Sequence, residues 1–180
     1  INVNTGRIVI DAEANDYRKA WVFSEGLAAV KRAGKVGFIN AENEVVIPFQ
    51  FDYSYKCRMW DFAYLFHNGY CIMTNKSGDL GLIDKGGNWV VEPEYDEIWA
   101  PHSSGYRVIV KNGKHGVLDS NCAVVYPVEY GHIDILSDGL VLTKGGKRWQ
   151  EDFEGNITQP FMFDGTYDLR YPNGYDCCGD

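Results

Sequence analysis

The chain has 180 residues, 45% of them hydrophobic and 14% aromatic, and a formal net charge of −8. That apolar content excludes a disordered chain, and the acidic balance argues against nucleic acid as a partner while favouring a basic one. No apolar run reaches the roughly 18 residues of a membrane span.

The chain opens on Ile1 rather than Met, so a preceding segment is expected and the missing export signal says little about location. Its first stretch, TGRIVIDAEANDY (residues 5–17), holds a glycine, an apolar strand and then Asp16-Tyr17. It reads as the tail of a unit, so residues 1–22 are taken as a half unit.

Residues 23–65 form the first fuller unit, which reads as three short strands. LAAVKR follows Gly26, a tight turn at Ala33-Gly34 leads into VGFIN, and a second turn opening on Asn40 leads into EVVIP. Pro48 is expected to end the third strand, because it lacks an N–H and is tolerated at a strand end. Phe51-Asp52 then seals this unit against the next. Gly37, in the middle strand, implies close approach of a neighbouring backbone or ring.

The same phrase recurs in residues 66–103, 104–137 and 138–165. Their first strands are YCIMTN, YRVIVK and LVLTK, with turns at Ser77-Gly78, Asn112-Gly113 and Gly145-Gly146. Asn-Gly reaches the left-handed angles of a two-residue type I′ hairpin at little cost. The middle strands include LGLID and HGVLD. Asp84, Asp119 and Asp152 open the second turns, where a short polar side chain bonds its own backbone two residues on. A left-handed residue is expected three positions later, at Asn43, Gly87, Cys122 and Gly155; Cys122 breaks the pattern, so a turn shifted by one residue is expected there. Third strands close at Pro93, Pro127 and Pro160, followed by Tyr95-Asp96, Tyr130-Gly131 and Phe163-Asp164. Landmarks at a period of 20 to 50 residues signal a repeat architecture. The fold class that follows is all-β, a tandem array of about four and a half three-stranded units, propeller-like but open or solenoid-like, in one repeat domain over 1–180.

The phrases GKVGFIN, GDLGLID and GKHGVLD, with a degenerate GKRWQED, resemble the WG (KWG) repeat family, whose units centre on Gly-Lys-Trp-Gly-x-Ile-Asp. The resemblance covers roughly residues 6–165. Val36, Leu80 and His115 replace the Trp; the fourth copy keeps it as Trp149 but has Gln150 where the Gly should be. The resemblance implies a bacterial binding or interaction module.

No catalytic constellation is expected from the sequence. His115 stands in the Trp slot and reads as packing, while His67 and His102 fall in loops. His132 with Cys122 would make a Cys-His dyad without an orienting third residue. Carboxylates that recur in every unit fit turn capping better than the single facing pair, about 5 to 9.5 Å apart, of a glycosidase. No phosphate loop, dinucleotide fingerprint or nucleophile elbow is present. The five cysteines, Cys57, Cys71, Cys122, Cys177 and Cys178, lack any C-x-x-C pair, which fits reduced thiols and a cytoplasmic setting better than a zinc site or disulfide framework. Neither a metal nor a cofactor is expected, nor an enzyme.

Function is expected where the copying breaks. Twelve residues separate Pro93 from Gly105, but twenty-one separate Pro48 from Gly69. The excess of nine falls in SYKCRMWDFAYLF (54–66), which carries Tyr55, Arg58, Trp60 and Tyr64. Trp, Tyr and Arg dominate binding hot spots, and these four, with Trp99, are the candidate binding residues. The partner expected is a protein, with a glycan or cell-wall polymer as the alternative. The tail, residues 166–180, is expected to cap the last edge.

Overall fold

A computed structural model of the chain describes residues 10–54 and 63–163. The half unit's first nine residues, the tail and most of the insertion lie outside the described residues. The chain is all-β: every regular element among the described residues is a strand, sixteen in all, in three sheets.

The chain falls into two compact units, Ile1–Glu129 and Tyr130–Asp180. The first unit contains an eight-stranded sheet of β1 (Lys19–Ala20), β2 (Ala28–Arg32), β3 (Lys35–Ile39), β4 (Val45–Asp52), β5 (Phe66–His67), β6 (Tyr70–Thr74), β7 (Leu80–Ile83) and β8 (Trp89–Tyr95). Its second sheet runs through β9 (Glu97–Ile98), β10 (Arg107–Lys111), β11 (Lys114–Leu118) and β12 (Val124–Tyr130), the last of which ends one residue into the second unit. The second unit carries β13 (His132–Ile135), β14 (Leu140–Lys144), β15 (Lys147–Glu151) and β16 (Ile157–Phe163).

The three strands expected of each repeat are all present, and each triplet is preceded by a short strand: β1, β5, β9 and β13. The leading glycines sit in the turns that join this short strand to the first long one. Gly26, Gly69 and Gly105 have φ of 87°, 82° and 88° there.

Ala33-Gly34, Asn112-Gly113 and Gly145-Gly146 all have positive φ at both positions, as two-residue hairpin turns require. Ser77-Gly78 does not match them. That loop spans Asn75 to Asp79: the Asp79 amide donates to Asn75 Oδ1 (3.0 Å), and Asn75 N donates to Asp79 O (3.1 Å). A side-chain-capped turn replaces the tight hairpin because Asn75 supplies the cap.

The second turns are built alike in all four repeats. Oδ1 of Asn40, Asp84, Asp119 and Asp152 each accepts two backbone amides, from the residues two and four positions on, at 2.8–3.1 Å. Contrary to the expected shift, the third turn keeps the common form. Cys122 adopts φ 65° and donates its amide to Asp119 O at 3.0 Å, as Asn43 does to Asn40. The paired bonds to Asp119 hold Cys122 in a conformation that its Cβ disfavours.

The prolines are also placed differently from the expectation. Pro48, Pro93, Pro127 and Pro160 lie inside the third strands, not at their ends. In the first repeat Val36 pairs with Phe51 and Phe38 with Ile47, so Gly37 alone faces three residues of β4. This bulge frees the proline from the ladder bond it cannot make. A Cβ on Gly37 would lie 2.8 Å from the Ile47 carbonyl oxygen, and one on Gly116 the same distance from that of Tyr126. The third strand thus crosses directly over the middle glycine.

In the fourth repeat the register puts Arg148 in the Trp slot and Trp149, not Gln150, in the glycine's place. Arg148 pairs with Met162 and Gln150 with Gln159, so two residues of β16 bulge instead of three. An indole where the others have a hydrogen cannot accept the same crossing.

The core of the first unit runs along the inner faces of these meanders, through Phe38, Ile47, Phe66, Leu82, Ile109 and Leu118. Two of the closing aromatics, Tyr17 and Phe51, reach into the following repeat. Tyr17 donates its hydroxyl to Asn43 Oδ1 (2.9 Å) and lies 6.2 Å from Phe49, and Phe51 meets Trp89 at 5.5 Å. Asp96 Oδ2 accepts the amide of Asn112, at the next repeat's hairpin, at 2.7 Å.

Candidate functional site

Within the eight-stranded sheet, β4 and β6 are joined by one residue pair, Asp52 with Thr74. Beyond that pair the two repeats diverge, and a groove of about 590 Å³ opens at the seam. Ligand pockets typically enclose about 300–1,000 Å³. β4 contributes Gln50, Phe51 and Asp52, β6 contributes Thr74 and the following turn Asn75; Gly87, Asn88, Trp89, Glu92 and Pro93 come from the second turn and third strand of the next repeat. That turn rests directly on β4: a Cβ on Gly87 would stand 2.7 Å from Ile47 Cγ2.

The polar groups of the groove are unevenly matched. Asn75 Nδ2 donates to Asp79 Oδ2 and to Pro93 O, Asn88 Nδ2 to the Asp84 carboxylate, Gln50 Nε2 to Gly87 O and Thr74 Oγ1 to Asp52 O. The donors are therefore largely spent within the protein. Acceptors remain: Glu92 is exposed, and Lys35 Nζ takes only Oδ1 of Asp52, at 2.7 Å.

A second feature recurs in every repeat. The two residues that begin each third strand are Val45-Val46, Trp89-Val90, Val124-Val125 and Ile157-Thr158. Val46, Val90, Val124 and Ile157 are 45%, 42%, 54% and 52% exposed, although they belong to strands with a buried inner face. β8 and β12 are terminal strands of their sheets, so these ends carry unpaired backbone groups on one side.

The family model of the WG containing repeat matches the chain over residues 1–35, 37–76 and 81–114, more than half its length. The chain belongs to that family. No curated protein matches it.

The WG repeats place the candidate residues unequally. Tyr55, Arg58 and Trp60 lie outside the described residues. Tyr64, a candidate binding residue of the insertion, is 2% exposed, 4.5 Å from the Trp21 ring and 5.9 Å from Tyr53, and its hydroxyl accepts the Ser54 amide. It packs the insertion's return limb onto the first repeat. Trp99 is half-buried, its Nε1 donating to Glu97 Oε2 (3.0 Å) and its ring meeting His115 edge to face at 6.1 Å. His115, in the Trp slot, therefore packs as an aromatic.

The other reactive types are similarly occupied. His102 Nδ1 caps its own turn against Ser104, and His132 pairs with Asp134 at 3.0 Å. Burial pushes the Cys122 thiol up, against the pull of nearby Arg107, which disfavours the thiolate a nucleophile needs. Asp84 and Asp119 cap turns, and Asp52 and Asp96 tie strand ends to Lys35 and Asn112. Among the described residues no three His, Cys, Asp or Glu side chains are grouped as metal ligands.

The groove and the valine pairs escaped the sequence reading. The exposed valines were in plain sight in EVVIP, WVVEP and AVVYP, but an apolar run inside a strand reads as core unless the register is known, and in WVVEP only Val90 is exposed while Val91 is core.

Proposed function

We propose that this WG repeat array is a non-catalytic binding module whose partner is a protein. The observation that carries the reading is that each repeat exposes aliphatic side chains at the start of its third strand: Val45 and Val46, Val90, Val124 and Val125, and Ile157. Apolar β-branched residues beside open strand edges suit an extended protein segment. The acidic balance favours a basic partner, and it argues against nucleic acid.

The test is a variant with Val46, Val90 and Val125 each changed to Ser. Surface changes of this kind leave stability within about 0.5 kcal/mol per site. A partner captured by the parent, purified and re-bound should lose affinity at least tenfold for the variant. Equal binding would remove the valine pairs from the proposal, and Trp60→Ala in the same assay asks whether the insertion contributes instead.

The second reading, a glycan or cell-wall ligand, rests on the Trp89 indole lining the seam groove, since a sugar ring can stack on an aromatic face. A glycan array with hits abolished by Trp89→Ala would support it.

A further inference from the structure

We propose that the seam groove between the first two repeats receives a cationic side chain, an arginine guanidinium, from an extended partner segment. This deepens the protein-binding reading and rests on it. Both hydrogens of Asn75 Nδ2 are committed, to Asp79 Oδ2 (3.0 Å) and Pro93 O (3.1 Å). Asn88 Nδ2 is held at 3.2–3.3 Å by the two oxygens of Asp84, and Gln50 Nε2 reaches Gly87 O at 3.3 Å. Beside the Trp89 indole N–H and the second hydrogen of Gln50 Nε2, what the lining offers a ligand is mainly oxygen: the Glu92 carboxylate, Oδ2 of Asp52 and the carbonyl oxygens of Gln50 and Asn88.

A site rich in acceptors selects a group rich in donors. Guanidinium presents five N–H donors and no acceptor, and its plane packs on an indole. The Trp89 ring lines the same groove. A phosphate or carboxylate would be repelled by the Glu92 and Asp52 carboxylates. A saccharide hydroxyl accepts as well as donates, and finds few donors to accept from. Lys35 offsets the charge of Asp52, so Glu92 carries most of the attraction, and its exposure keeps that attraction sensitive to salt. Val90, two residues before Glu92, would pack beside the aliphatic stem of the same segment.

The test uses the whole chain and small probes, so it stands apart from the valine assay. N-acetyl-arginine amide, its neutral isostere N-acetyl-citrulline amide and maltotriose are titrated while amide and indole NMR signals are followed. The arginine probe should bind in the millimolar range expected of so small a ligand, shifting Gln50, Asn88 and Trp89 together. Citrulline amide should bind at least fivefold more weakly, and Glu92→Gln should weaken the arginine probe about threefold with an unchanged melting temperature. Glu92→Lys should abolish the shifts.

Equal shifts from citrulline, indifference to Glu92→Gln, or saturation by maltotriose without arginine binding would each overturn the proposal. If the arginine probe fails while the valine variant still loses its partner, the groove assignment is wrong and the module reading stands. If the arginine probe binds while the valine variant keeps its partner, the module reading loses its carrying observation and the groove remains.

Discussion

The ring of Phe51 meets the ring of Trp89 edge to face, with centroids 5.5 Å apart and planes at 89°. Phe51 closes the first repeat, and Trp89 begins the third strand of the second. One aromatic contact therefore ties two copies of the same meander across a seam that has a single backbone pair, Asp52 with Thr74. Phe51→Ala should lower unfolding free energy by about 3–5 kcal/mol, as truncation of a buried Phe does. A double-mutant cycle with Trp89→Ala, read by urea denaturation, should return a coupling of about 0.5–1.5 kcal/mol. Additive losses would mean that each ring stabilises only its own repeat.

Gly81 faces the carbonyl oxygen of Val91, and a Cβ there would also stand 2.8 Å from Trp89 Cζ3 and 2.9 Å from Pro93 N. Two of these three neighbours are backbone, which gives little. Gly81→Ala should therefore cost about 1–3 kcal/mol, in the range of overpacking, and should perturb near-ultraviolet circular dichroism through Trp89. A neutral change in thermal unfolding would show that β8 slides freely over β7.

Backbone and side-chain hydrogen bonds from Asn88 hold the Asp84 carboxyl below its usual range, and the side chain and backbone of Asn156 do the same for Asp152. A carboxyl whose folded pKa is depressed contributes stability above its unfolded pKa, about 3.9. That contribution is lost as pH falls toward the folded pKa. Stability should thus decline on acidification below about pH 4. Asp84→Asn with Asp152→Asn should flatten that decline while keeping the turns, since Asn40 caps its turn through the same oxygen. An unchanged acid limb in pH-dependent melts would assign it to other groups.

Arg107 is 3% exposed and donates to His67 O at 3.0 Å, and burial pushes its guanidinium pKa down. The cross-strand registers give the same slot to Ala28, Cys71 and Leu140 in the other repeats. Replacing a buried charge by a packed apolar residue is often neutral or stabilising. Arg107→Leu should match or exceed the parent in denaturant midpoint, while Arg107→Ala falls below it. A loss above about 2 kcal/mol for the leucine variant would show that the bond to His67 outweighs desolvation.

The repeat landmarks were legible because each answers a local demand. Asn112-Gly113 suits a tight hairpin, Asp84 suits a side-chain-capped turn, and Gly37 signals a close crossing; each takes that role. The tight turn expected at Ser77-Gly78 failed because Asn75, two residues before Ser77, competes for the loop as a cap. The exposure of Val46 and Val90 was not legible, nor was the burial of Tyr64. Exposure depends on which strand pairs alongside, and the divergence of β4 from β6 is a long-range outcome with no local mark.

The sequence by itself determined the kind of element and its repetition: strands, turn residues, closing aromatics and the family they spell. These follow from backbone sterics and short-range hydrogen bonding, which act within a few residues. Only the tertiary structure decided the bulge that takes the prolines into the third strands, the crossing over the middle glycines and the groove at the first seam. Those depend on residues some forty positions apart, such as Gln50 and Gly87, meeting across repeats. Packing settles such meetings by burying one face of each meander against the next, so they are written in no single phrase of the chain.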